Sequence, residues 1–182
     1  MKPWSSASDT GVAFVRDGIE GMLPRLRRFA RGLTGNASDA DDVVQAACEK
    51  ALGSAHRWAS GTRLDSWLYR IVHTVWLDEV RRRRHRNGTG LDEAAEEAGD
   101  DVVAHVEARL RLEEVRRLMA ALPEEQRAVL LLVCVEGLGY RDAAEALGVP
   151  IGTVMSRLAR GRAALLTRLG ETPRQIADAR GG

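Results

Sequence analysis

The chain has 182 residues, of which 45% are hydrophobic and 29% charged, with 18 Gly and 5 Pro. This composition excludes a disordered or fibrous chain and leaves room for one domain or two small ones. The longest uncharged apolar run, Ala128 to Val135, is too short to span a bilayer, and the N-terminus lacks the basic-then-apolar layout of a signal peptide. A cytoplasmic protein with no membrane insertion is expected. The formal net charge of +1 hides a partition, because residues 1–86 carry +5, residues 87–117 carry −5 and residues 118–182 carry +1. A basic front, an acidic middle and a near-neutral back suggest two folded units joined by a segment that need not touch polyanions.

Apolar residues recur at helical spacing nearly throughout, and no stretch shows sustained strand-like alternation. The expected fold is all-α: two small helical domains joined by a flexible acidic linker, the second containing a helix-turn-helix. A first helix is expected over Val12 to Leu33, with an interruption at Pro24 and an end at Thr34-Gly35-Asn36. Ser38 is expected to cap the second helix through an S-x-x-D pattern with Asp41. The core stripe of that helix is read as Ala40, Val43, Val44, Ala47, Ala51, Leu52 and Ala55.

A loop over Arg57 to Arg63 precedes a third helix, whose apolar side includes Trp67, Leu68, Ile71, Val72, Val75 and Val80 and which ends in the run Arg81 to Arg86. The first domain is placed at 1–86 and the linker at 87–105, because residues 87–101 hold three Gly and six carboxylates without a Lys or Arg. The second domain, 106–182, ends in a short polar tail. It is expected to hold helices at about Val102 to Ala121, Pro123 to Glu136, Arg141 to Leu147 and Ile151 to Leu169. Cys48 and Cys134 lack metal or disulfide spacing and read as buried small hydrophobes, a redox-sensing thiol being the alternative.

Three stretches carry chemistry. Gly139 to Leu158 reads as a helix-turn-helix in which Ala144 allows a close helix crossing, Gly148 takes the positive φ of the turn, and Val149, Val154 and Leu158 pack the second helix onto the first. The outward face then displays Thr153, Met155, Ser156, Ala159 and Arg160, with Arg157 and Arg162 nearby. Such side chains suit base edges and phosphates in a major groove. Between Trp58 and Trp76 lie four of the eight aromatics, Trp58, Trp67, Tyr69 and Trp76, interleaved with Arg63, Arg70 and His73 and followed by the arginine run with Arg81 and Arg82. Aromatic faces stack unpaired bases and guanidinium groups neutralise phosphates, so this mixture suits a separated strand; core packing competes for Trp67 and Val72. The second helix instead shows an acidic face of Asp39, Asp41, Asp42, Gln45 and Glu49, read either as a solvated face or as a docking face for a basic protein partner.

Taken together, these stretches resemble the bacterial RNA polymerase sigma factors of the small, two-domain extracytoplasmic-function group over nearly the whole chain. The resemblance is carried by Asp39-Ala-Asp-Asp-Val-Val-Gln-Ala-Ala, by Ser66-Trp-Leu-Tyr-Arg-Ile-Val with Leu77-Asp-Glu-Val-Arg-Arg-Arg, by Leu122-Pro-Glu-Glu-Gln-Arg-Ala-Val-Leu and by Gly139 to Arg162. It implies a first domain that meets the clamp helices of the polymerase β′ subunit through Asp42, Gln45 and Glu49. The same domain captures the melted minus-ten strand through Trp58, Arg63, Arg70, His73, Thr74, Arg81 and Arg82, the loop Arg57 to Arg63 holding a flipped base. It also implies a second domain that rests on the β-flap through Leu122 to Val135 and reads the minus-thirty-five duplex through Thr153, Met155, Ser156, Arg157, Ala159 and Arg160. The acidic linker is then expected to pass through the RNA exit path, and an anti-sigma protein to hold the factor inactive.

The scattered His56, His73, His85 and His105 and the lack of nucleophile, P-loop or HExxH motifs point away from an enzyme, a metal or a cofactor. The rival readings are a stand-alone helix-turn-helix regulator and a sigma-fold mimic that titrates a regulator.

Overall fold

The computed structural model describes the backbone of residues 6–58, 63–87 and 104–169, with side chains for 12–56, 58, 63–86 and 112–169. Helices α1 (Ser6–Thr34), α2 (Ala37–Gly53) and α3 (Leu64–Asn87) form the first half, a short 3₁₀ turn at Ala55–Arg57 following α2. Helices α4 (Ala104–Ala120), α5 (Glu124–Leu130), α6 (Tyr140–Leu147) and α7 (Ile151–Arg168) form the second, and no strand occurs among the described residues. Most of the segment expected as a linker, and the C-terminal tail, lie outside the described residues.

Helix α1 runs unbroken through Pro24, where an interruption was expected. Proline at a helix interior forfeits a backbone hydrogen bond and costs about 3 kcal/mol. Val15 and Ile19 before it and Leu26, Phe29, Ala30 and Leu33 after it are all buried on one apolar stripe. At about 1.5–3 kcal/mol for each large side chain, that burial outweighs the proline penalty. The helix ends where Gly35 takes φ +84 and returns its N–H to the Arg31 carbonyl at 2.9 Å.

The cap of α2 is Asn36, two residues before the expected Ser38. Its Oδ1 accepts from the Asp39 N–H at 2.8 Å, while its Nδ2 donates to Asp39 Oδ2 at 2.9 Å. Asparagine is a leading N-cap residue, and the reciprocal bond leaves Ser38 in the first helical turn. Ala40, Val43, Val44, Ala47 and Ala51 are buried as expected, and Ala55 is buried in the 3₁₀ turn, whereas Leu52 is 42% exposed.

Helix α5 passes without a break into a π-helical turn, Leu131–Val135, in which the Glu136 N–H reaches back five residues to the Leu131 carbonyl at 2.9 Å. A π turn inserts one residue into the helical phase, so the run that began buried at Ala128, Val129 and Leu130 rotates outward. Cys134 and Val135 therefore stand exposed, against the expectation of a buried Cys134, and Glu136 swings inward to 7% exposure. Cys48 is only partly buried.

The buried residues of both halves form one continuous core. The broadest contact between the halves is α3 against α6, and α1 lies against α5 and the π turn. Gly32 on α1 makes the latter approach possible, since a Cβ there would stand 2.4 Å from a methyl of Leu131.

Candidate nucleic-acid interface

Helices α6 and α7 form the expected helix-turn-helix. Gly148 adopts φ +65, and the Val149 N–H returns to the Ala144 carbonyl at 3.1 Å, closing α6 in a Schellman-type turn. Val154 is fully buried and Leu158 is 3% exposed, so the inner side of α7 is held by packing. Gly161 meets Leu130 closely enough that a Cβ would stand 2.8 Å from its methyl. The outer side presents Met155, 53% exposed, together with exposed Ser156, Ala159 and Arg160 and a partly buried Thr153. Ser156 Oγ donates to the Thr153 carbonyl at 3.1 Å and Arg160 Nε to the Ser156 carbonyl at 3.3 Å, which leaves most of the Arg160 fork free. Arg157 is different: it turns inward to pair with Glu125 of α5 at 2.6 Å. Arg162 donates to Cys134 Sγ at 3.4 Å.

On α3, Arg70, Thr74 and Arg81 recur at spacings of four and seven and so share a helix side, with Arg63 just ahead of the helix. Arg63 grips Asp65 through two bonds of 3.0 and 2.6 Å and also pairs with Asp142 of α6 at 2.9 Å. The guanidinium beside it holds the Asp65 carboxyl below the usual carboxylate range. Arg70 is exposed beside the Gly148 turn, and Thr74 Oγ1 is tied to the Arg70 carbonyl at 2.8 Å. His73 packs near Trp76, with ring centroids 6.0 Å apart. Burial, and then the nearby charge of Arg157, push its pKa down to about 4, so the imidazole is neutral near neutral pH.

The arginine run is laced to carboxylates. Arg81 pairs with Asp78 at 3.3 Å, Arg82 with Glu79 at 3.4 Å, Arg83 with Asp39 at 2.7 Å, Arg84 with Glu124 at 2.7 Å and Arg86 with Glu79 at 3.1 Å. Exposed pairs of this kind contribute about 0–1 kcal/mol each, so they are readily exchanged for phosphate. Trp58 stacks on Phe14, and its indole N–H is buried without an acceptor among the described residues. Trp76, Tyr69 and Val72 are core residues, and Trp67 is partly buried.

The acidic face of α2 divides in two. Asp39 turns inward to Arg83, which holds its carboxyl below the usual range, and Asp41 pairs with Arg27 at 3.4 Å. Asp42, Gln45 and Glu49 remain as an exposed strip, Gln45 Nε2 donating to Glu49 Oε1 at 3.2 Å.

Sequence reading missed one cluster altogether. The Glu136 side chain is wholly buried and accepts from Arg28 at 2.7 and 2.8 Å, from Arg25 at 3.2 Å and from the Tyr69 hydroxyl at 2.7 Å, while Arg25 also holds the Glu136 carbonyl at 2.9 Å. Burial works to raise this carboxyl, but the bonds from Arg28, Tyr69 and Arg25 outweigh it and hold it below its ordinary value. The Tyr69 hydroxyl is pushed up by burial and by that same carboxylate. A glutamate just after an apolar helix carries no signal of its own; only the π turn aims it inward.

The comparisons with known proteins agree with this geometry. The family model described as Sigma-70 region 2 matches residues 19–86, and that described as Sigma-70, region 4 matches residues 112–165. The chain is 36% identical over 155 residues to the ECF RNA polymerase sigma factor EcfG of Rhodopseudomonas palustris, covering 83% of this chain and 82% of the relative. It is 40% identical over 150 residues to the ECF RNA polymerase sigma factor SigM of Mycobacterium tuberculosis, covering 80% and 72%. Among solved structures, the sigma factor RpoE in complex with the anti-sigma factor NepR from Bartonella quintana superposes with a TM-score of 0.74 at 27% identity, covering 85% of this chain and 96% of that one. CnrH in complex with the cytosolic domain of CnrY shares the fold with a TM-score of 0.64 at 24% identity, covering 91% and 98%.

Proposed function

The chain belongs to the ECF group of sigma-70 RNA polymerase sigma factors, and from that membership we propose how its helices divide the work. It binds core RNA polymerase, directs it to specific promoters and promotes melting, with the bond-making chemistry left to the polymerase. We assign residues 1–86 to polymerase and minus-ten binding, 87–105 to the linker and 106–182 to minus-thirty-five binding. Asp42, Gln45 and Glu49 meet the β′ clamp helices, a role supported by their shared exposure on α2. Thr153, Met155, Ser156, Arg157, Ala159 and Arg160 face the minus-thirty-five duplex, with Arg157 first giving up Glu125. Trp58, Arg63, Arg70, His73, Thr74, Arg81 and Arg82 serve the separated strand, and Leu122 to Val135 lies on the β-flap. The sigma factor RpoE of Bartonella quintana was solved in complex with an anti-sigma factor, which supports control of this chain by such a protein. No helix among the described residues is long and apolar enough to cross a membrane, and we place its work in the cytoplasm beside the polymerase.

The observation that carries this reading is α7, whose inner residues Val154 and Leu158 are buried while Met155, Ser156, Ala159 and Arg160 point outward, the side-chain hydrogen bonds of Ser156 and Arg160 among the described residues staying within the helix. Run-off transcription with purified core polymerase on a promoter library tests it. Initiation that depends on the chain is expected; binding to core without initiation leaves the mimic, and the absence of both leaves a stand-alone DNA binder.

A further inference from the structure

The described ion pairs between the two halves that involve α1, Arg63 and α3 all have the same polarity. Arg25 and Arg28 of α1 pair with Glu136, Arg63 ahead of α3 pairs with Asp142 of α6, and Arg84 of α3 pairs with Glu124 of α5. In each the cation comes from the first half and the carboxylate from the second. This is the arrangement a polyanion would adopt on the basic first half, with carboxylates standing where phosphates would stand. We propose that Glu124, Glu136 and Asp142 form an internal clasp that occupies these arginines in place of nucleic acid, so that single-stranded DNA and the second half compete for the first.

The energetics suit a clasp that opens. The Arg63–Asp142 and Arg84–Glu124 pairs are partly exposed, and such pairs add little stability. In the Glu136 cluster the carboxylate alone is fully buried while Arg25 and Arg28 stay partly exposed, and their bonds outweigh its lost hydration, so the cluster fixes the docking geometry. An arginine handed from a carboxylate to a phosphate keeps a bidentate, charge-assisted bond, and DNA releases counterions in the exchange. Arg63 cannot hold Asp142 and a promoter phosphate with the same nitrogen. The contact of α3 with α6 also sets Arg70 beside the Gly148 turn and His73 near Arg157, while Arg70, Thr74, Arg81 and Arg82 stay exposed, so among the residues assigned above to the separated strand closure engages Arg63 in an ion pair across the halves.

The competition rests on the strand-binding reading of α3, whereas the closure stands on the ion pairs alone. Small-angle X-ray scattering of the full chain reads closure, and fluorescence anisotropy with a labelled oligothymidine reads strand binding at fixed salt. The triple variant Glu124→Gln, Glu136→Gln, Asp142→Asn is expected to scatter as a more extended particle and to bind the oligothymidine about tenfold tighter than the native chain. Because the buried Glu136→Gln change can weaken folding, the partly exposed pair supplies a second test: Asp142→Arg, which sets two like charges face to face, is expected to shift the scattering toward the extended particle, and adding Arg63→Asp to shift it back. An unchanged scattering profile in the triple variant, extension without a gain in affinity, or a charge swap that fails to reclose overturns the clasp. Closure and competition that behave as expected, with no run-off transcript from native chain or variants, overturn the sigma reading and leave the clasp standing.

Discussion

Phe14 and Trp58 stack with ring centroids 4.9 Å apart and planes 19° from parallel, at the point where α1 meets the loop that precedes α3. Phe14 is 52% exposed while Trp58 is partly buried with its indole N–H inside, so the stack covers one face of Trp58 at the edge of the core. Replacing Phe14 with Ala is expected to cost about 1 kcal/mol in chemical denaturation, the worth of an aromatic pair, and to leave promoter melting intact. Trp58→Ala is expected to abolish melting while core binding persists. Permanganate footprinting separates the two, and normal thymine reactivity with Trp58→Ala returns this side chain to a packing role.

Among the described residues Arg160 makes one hydrogen bond, to a backbone carbonyl of its own helix, and no ion pair. Its replacement with Ala is expected to weaken promoter-duplex binding by about 1–3 kcal/mol, the worth of a bidentate base contact, without moving the melting temperature. Mobility-shift titrations read the first and thermal unfolding the second. Equal affinity for native and variant removes Arg160 from base readout.

Asp42 and Glu49 lie exposed on α2, and neither has an ion-pair partner among the described residues. Reversing both to Lys is expected to shift stability by less than about 0.5 kcal/mol, as for most surface changes, while sharply reducing recovery of polymerase in a pull-down. Undiminished recovery makes the strip an ordinary solvated face.

His73 supplies a pH dependence. The unfolded chain takes up a proton near the ordinary histidine value of 6.5, but the folded chain resists protonation until about 4. More protons are bound by the unfolded state throughout that window, so stability rises with pH across it and is lost as pH falls through it. A loss of roughly 2 kcal/mol between about pH 7 and about pH 5 is expected from this residue. His73→Gln is expected to flatten the slope in urea denaturation; an unchanged slope places the titration elsewhere.

Much of this protein is legible without coordinates, and the reason is local. Periodicity marks α2, α3, α6 and α7 because a helix side and its apolar stripe are set within one or two turns. Gly148 announces its turn because only a residue without a side chain adopts φ +65 freely. The outward residues of α7 follow once Val154 and Leu158 are known to face inward. Where local rules competed, one of them lost: Asn36 outranked Ser38 as a cap, and the burial of Phe29 and Leu33 overrode Pro24.

The amino-acid sequence by itself determined the helices, the helix-turn-helix and the family to which the chain belongs, since each rests on residues close together in the chain. Tertiary structure alone decided how the charges pair between the two halves. No spacing rule links Arg28 to Glu136 or Arg63 to Asp142, partners that lie 108 and 79 positions apart. The first pair meets because a π turn rotates Glu136 into the core and Gly32 lets Leu131 approach α1, the second because α6 packs against α3. Coulomb attraction depends on distance in space, and only the packing of the helices against one another sets that distance.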